Sequence, residues 1–289
     1  MDRLEWLVGL MEEFEVQYGS RSLVTFGRPG SELQEDDAAL GGYALSYRVG
    51  NCLMIALDQL RAARSLLKPQ PADPVRVPFI GPYPNLRAAF EASCLAIWLL
   101  APDAAPVRQA RALATDWDAT AQNVRLVKRQ CLVRNGDDAT TRSKKTREQA
   151  EAMAEIDSHR NPLLDKVSAL GLDADIVREG IPAFVDFVEA AAEGEKFPAH
   201  MFSFVWQTMS GMAHPSFARN AHLAPQVSTA DSGELHSHEP RAELRFLGSS
   251  IDMMLMLLAK ALKLAARRAL QPDLQFLRSP DAPDDPTGR

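Results

Sequence analysis

Cysteine is scarce in this chain: Cys52, Cys94 and Cys131 are the only three in 289 residues. An odd and sparse set cannot build a disulfide framework, and each lies in an apolar helical pattern, so buried, reduced thiols are expected. Long hydrophobic runs are also missing. No stretch reaches the roughly 18 uncharged apolar residues that a membrane helix requires, so no membrane partner is expected. The N-terminal MDRLEWLVGLMEEFEVQY has acids where a secretory leader has bases, which points to a cytoplasmic protein. A glycine-rich phosphate loop, a Gly-x-Ser-x-Gly elbow and the His-Glu-x-x-His, Glu-x-x-His and Cys-x-x-Cys metal spacings are all absent. Four of the six histidines (His214, His222, His236 and His238) cluster within 25 residues beside Glu234 and Glu239. Without a metal-ligand spacing they read as a solvated loop, so no metal and no cofactor are expected. The net charge of −6 gives the whole chain no bias toward nucleic acid or an anionic membrane.

What the chain has in quantity is helical periodicity, with no alternating strand of useful length. The apolar positions predict long helices over 38–68, 84–101, 104–135, 140–170 and 240–270, and shorter ones over 3–18, 173–179, 182–193 and 199–213. Residues 19–37, with glycines, a proline and four acids, read as a loop. The six prolines of 69–84 exclude a helix until Pro84, which suits a first turn. Residues 215–239 read as a long irregular loop rich in Ser, His, Pro and Asn. The fold expected is all-α: a single multi-helix bundle of long antiparallel helices over 1–270, then a Pro/Asp-rich tail over 271–289.

One of these helices is unlike the others. LRAAFEASCLAIWLLA, residues 86–101, is apolar around its whole circumference except for Arg87 and Glu91. Such a helix belongs in the middle of a bundle, where charges are costly unless paired or used. At i, i+4 the two side chains meet on one face, and Trp98 lies two turns further along it. The pair reads either as a buried salt bridge that sets the helix position or as a guanidinium fork for an anion, oriented by Glu91.

A second focus is SFVWQTMSGMAHPS, residues 203–216. Trp206, Ser210 and His214 recur at i, i+4 and i+8, with Gln207 within reach of the same face. Pro215 moves His214 out of helical backbone at the helix C-terminus, where the dipole favours imidazolium. The histidine is either a capping residue or a general acid/base. Trp206, Ser210 and His214 are expected to face the same internal cleft as Arg87.

An Arg-x-x-x-Glu in an early apolar helix, followed by Ser-x-x-x-His-Pro at the end of a later one, resembles all-helical bacterial families allied to the HEPN superfamily. The resemblance covers about a third of the chain. It implies a helical, commonly dimeric protein, and many HEPN proteins are metal-independent ribonucleases of antiphage or toxin–antitoxin systems. Their usual signature, an Arg followed by four to six residues and a His, is not present here, and Arg219 stands too close to His222. Arg87, Glu91 and His214 are the residues the resemblance implies as catalytic, with Trp98, Trp206, Gln207 and Ser210 around them as ligand-binding residues.

Residues 125–147 hold eight bases against two acids, a run able to meet phosphates, but with no interleaved aromatic for base stacking. Two functional readings follow. One is an HEPN-like cytoplasmic protein linked to nucleic acid in stress or defence, with RNA or a nucleotide as partner. The other is a helical bundle that binds a small anionic ligand or a protein partner without catalysis. A homo-oligomer is expected through the Met- and Leu-rich face of 251–264 or through the first helix.

Overall fold

Ser31 begins a helix that the loop-like composition of 19–37 conceals. Its Oγ accepts from the Gln34 amide at 3.2 Å, and Glu32 and Glu35 stand in the first turn, where the helix dipole favours acids. In the computed structural model, which describes residues 3–18, 27–68, 80–212 and 244–270, the loop expected over 19–37 therefore gives way to a helix at its C-terminal end. This helix, α2 (Glu32–Leu40), follows α1 (Arg3–Tyr18) and buries Leu33, Asp36 and Leu40 on one side. A carboxylate stands where the period asks for an apolar side chain, which hid the helix.

The helix expected over 38–68 is broken for a local reason. Gly41 takes φ 63°, in the left-handed region, and a single 3₁₀ turn spans Gly41–Tyr43. Asp37 Oδ1 then accepts from the Ser46 amide at 2.9 Å and caps α3 (Leu45–Leu67). The remaining elements are α4 (Pro82–Leu100), α5 (Ala105–Gln130), α6 (Ala139–Ala169), α7 (Ala174–Glu179), α8 (Phe184–Ala192), α9 (Ala199–Met212) and α10 (Leu244–Arg268). There is no strand among the described residues, and the fold is all-α. The irregular loop expected over 215–239 and the tail over 271–289 lie outside the described residues. So does His214.

α4 is the hub, packed on α3, α10, α9, α8 and α5. Most of its circumference is buried, from Tyr83, Leu86 and Phe90 to Cys94, Ile97 and Leu99. Past Asn85, only Arg87, Ala88, Glu91 and Leu95 are less than fully covered, a stripe along one face. The expected central helix is thus present, but its two charges lie at the rim and not in a sealed interior.

The apolar surplus of 251–264 is spent inside the chain. Ile251, Met254, Leu255, Leu258 and Leu262 are buried as α10 packs on α4, α1, α3 and α9, so this face needs no second copy to cover it. Cys52 and Cys94 are buried free thiols, and Cys131 is half-buried at the end of α5. Burial pushes the Cys52 thiol up to about 12.

Two arginines missed by the sequence reading fasten the helix ends together. Arg108, on α5, is 2% exposed; its Nε donates to Asp36 Oδ2 at 2.7 Å and its Nη1 to the Asp103 carbonyl at 2.7 Å. Gln109 Nε2 donates to the other Asp36 oxygen at 2.9 Å. Arg268, at the end of α10, donates to Glu32, to Asp103 Oδ1 at 2.7 Å and to the Pro102 carbonyl at 3.0 Å. Together they satisfy the carbonyls left open where α4 ends and α5 begins, and tie α2 and α10 to that corner. The Arg268 hydrogen bond holds the Asp103 carboxyl below its ordinary range.

α5 and α6 form an arm. The buried residues of α5 all precede Thr115, and those of α6 are Ile156, Leu163 and Val167. Past Thr120 on one helix and before Ile156 on the other nothing is buried, so this stretch stands out from the body.

Candidate functional site

The site is built on the half-covered stripe of α4 where it meets α8 and α9. Arg87 Nε donates to Glu91 Oε1 at 2.7 Å, as the i, i+4 spacing requires. Trp206 Nε1, from α9, donates to the same oxygen at 2.8 Å. The Arg87 guanidinium stands 5.8 Å from the Trp206 ring centre, within cation–π range. Glu91 therefore holds both partners, an arginine and an indole 115 residues later in sequence. Among the described residues, no hydrogen bond occupies the two Nη nitrogens of Arg87.

A run of aromatic rings continues from this point. Phe184, at the start of α8, stacks on Trp206 with ring centres 5.5 Å apart and planes at 16°. Phe184 meets Phe187 edge-on at 5.8 Å, and Phe187 meets Trp98 at 6.1 Å. Arg111 closes the far end, its guanidinium 5.0 Å from the Trp98 ring and its Nη1 donating to the Trp98 carbonyl at 2.6 Å. Trp98 thus joins the site through Phe187 and Phe184, without touching Arg87. Phe184 and Phe187 were missed, although Phe-x-x-Phe on a short helix puts both rings on one face.

Electrostatics follow from partial exposure. Arg87 and Glu91 keep 27% and 23% of their side-chain surface, so the pair belongs with solvent-screened ion pairs. A sealed pair would make Glu91→Ala cost about 3–5 kcal/mol, because it strands a buried cation. At this exposure the loss expected in chemical denaturation is about 1–2 kcal/mol, from one screened pair and one indole hydrogen bond. A loss above about 3 kcal/mol would show that the rim is closed in solution. The Cys94 thiol beneath the site is pushed up, first by burial and then by the Glu91 charge, while Lys260 pulls the other way. Lys260 Nζ donates to the Ala191 and Glu193 carbonyls at 2.8 and 2.6 Å and caps the end of α8.

The other sequence-predicted residues are placed as follows. Gln207 is exposed and Ser210 half-buried on α9, and neither bonds to Arg87, Glu91 or Trp206. His214 begins beyond the described end of α9. The structure brings together Arg87, Glu91 and Trp206, and it links Trp98 to them indirectly. A guanidinium edge beside a half-exposed ring stack suits a ligand with a phosphate and a planar group.

Among the described residues, no group of three or more His, Cys, Asp and Glu side chains could hold a metal, and no helix is long and apolar enough to cross a membrane. A separate cavity of about 450 Å³ lies between α5 and α6, lined in part by Tyr43, Asp116, Asn123 and His159. The His159 Nδ1 lies 2.9 Å from the Glu155 carbonyl, and Asp116 is paired with Arg48. Comparison with protein-family models, with curated proteins and with solved structures finds no match to this chain.

Proposed function

We propose that this chain is an HEPN-like helical protein that binds RNA or a nucleotide at the rim of α4. Arg87 takes a phosphate through its Nη edge, and a base packs on the Phe184–Trp206 stack. The observation that carries this reading is the clamp on Arg87: Glu91 holds its Nε, Trp206 holds Glu91, and among the described residues no hydrogen bond occupies the two Nη nitrogens beside the Trp206 ring. Preorganisation of this kind lowers the entropy lost when an anion binds. Glu91 accepts both hydrogen bonds on Oε1, so it orients the arginine. A ribonuclease version would draw its proton-transfer group from His214, and would be metal-independent. The same reading makes the protein cytoplasmic and homodimeric.

The test is a titration with short RNA oligonucleotides and with mononucleotides, followed by tryptophan fluorescence, with Trp206→Phe identifying the responding indole. Binding is expected to quench Trp206, and Arg87→Ala to weaken binding by about 10- to 100-fold through loss of a charge-assisted contact. RNA cleavage that resists chelator and disappears in both Arg87→Ala and His214→Ala would add catalysis. Binding of mononucleotides without RNA would leave the small-anion reading. No binding of either, or equal binding by Arg87→Ala, would remove the site.

A further inference from the structure

The tip of the α5–α6 arm separates its charges in an unusual way. Residues 125–147 hold eight bases and two acids, so the rest of the chain carries a formal −12 against the overall −6. The two acids are already used. Asp137 accepts from the Arg134 amide and from Lys145 Nζ, and Asp138 caps α6 at the Thr141 amide. Among the described residues, Arg125, Lys128, Arg129, Arg134 and Arg142 are exposed and form no ion pair.

Aliphatic side chains stand among these cations. Leu126, Leu132 and Val133 keep 53%, 58% and 44% of their surface at the end of α5 and in the turn that follows. These three residues lie on the tip in the same stretch as the bases, and none belongs to the buried core.

We propose that this tip docks on an anionic membrane surface. The three aliphatic side chains enter the headgroup–acyl boundary and the bases lie against lipid phosphates. Burying aliphatic surface and attracting anionic lipid are the two contributions that add in peripheral binding. The acidic remainder of the chain is repelled by the same surface, which orients the molecule with the tip down and the body away. RNA would use the cations but not the aliphatics, and 125–147 has no aromatic residue on which a base could stack. A second copy meeting tip to tip would bring two sets of unpaired cations together.

The test uses the full chain with vesicles of pure phosphatidylcholine and of phosphatidylcholine with about 30% phosphatidylglycerol, read by co-sedimentation at low and raised salt. Binding is expected only to the anionic vesicles. The Leu132→Ser/Val133→Ser variant keeps every charge and is expected to lose about tenfold in vesicle affinity. Both positions are exposed, so its melting temperature should match the parent. Arg87→Ala should leave vesicle binding unchanged, which separates this proposal from the rim site. The proposal is overturned by no binding to anionic vesicles. It is overturned equally if the serine variant binds as the parent does, since adsorption would then be charge alone and open to RNA. Dissociation of an oligomer by the serine variant in light scattering would also overturn it, by assigning the tip to a contact between copies.

Discussion

Replacing Asp36 with alanine is expected to lower the unfolding free energy by about 3–5 kcal/mol. Asp36 is 1% exposed and faces Arg108, which is 2% exposed, with a hydrogen bond at 2.7 Å. Removing the carboxylate leaves a buried guanidinium without its main counter-charge and takes the acceptor from Gln109 as well. Glu32 sits 3.1 Å from Arg108 and softens the loss, but it is itself held by Arg268. Asp36→Asn should cost less, because an amide oxygen still accepts. Urea unfolding should show a lower midpoint at unchanged slope for both. A change below about 1 kcal/mol for Asp36→Ala would mean that water reaches the pair and that Arg108 is not locked.

Phe202→Ala is expected to cost about 3–5 kcal/mol and to disturb the candidate site in the same stroke. Phe202 is fully buried on α9, with its ring 6.4 Å from that of Phe90 on α4. The contact seats α9 on the central helix one turn before Trp206, so it sets where the indole meets Glu91. Phe202→Leu, which keeps most of the volume, should lose far less. Denaturation gives the stability change, and tryptophan emission reports the indole. If Phe202→Ala cost less than about 1 kcal/mol, α9 would be held on the body by other contacts.

Much of the architecture is legible in the chain because it is written in local periodicity. The helices of 140–170 and 182–193 differ from the observed α6 and α8 by a residue or two at the ends, and that of 199–213 begins where α9 does. The long second-half helix over 240–270 is present throughout its described part, from Leu244 to Arg268, and 104–135 ends five residues early. Asn135-Gly136 looked like a stop, but Cys131 already caps α5, so the turn chemistry serves the connection and not the helix end. α2 was lost for the opposite reason: a buried Asp36 broke its apolar period, and its partner lies 72 residues away.

The candidate site divides along the same line. Arg87 and Glu91 stand one helical turn apart on a single helix, so their pairing was fixed by spacing alone. Trp206 could be singled out as one of few large aromatics in a polar-spaced helix, but not given to Glu91. That pairing, the Phe184 stack and the Phe187 bridge to Trp98 depend on how α8 and α9 cross α4. The sequence by itself determined an all-helical chain, a central apolar helix and an Arg–Glu pair upon it, because each is a matter of residues within one or two turns. Only the tertiary structure decided that this pair sits at a half-exposed rim, that Arg108 and Arg268 form the buried ionic corner, and that the basic run of 125–147 caps a projecting arm. Burial and partner choice between distant segments arise from the summed packing of several helices, and no single stretch of sequence carries that sum.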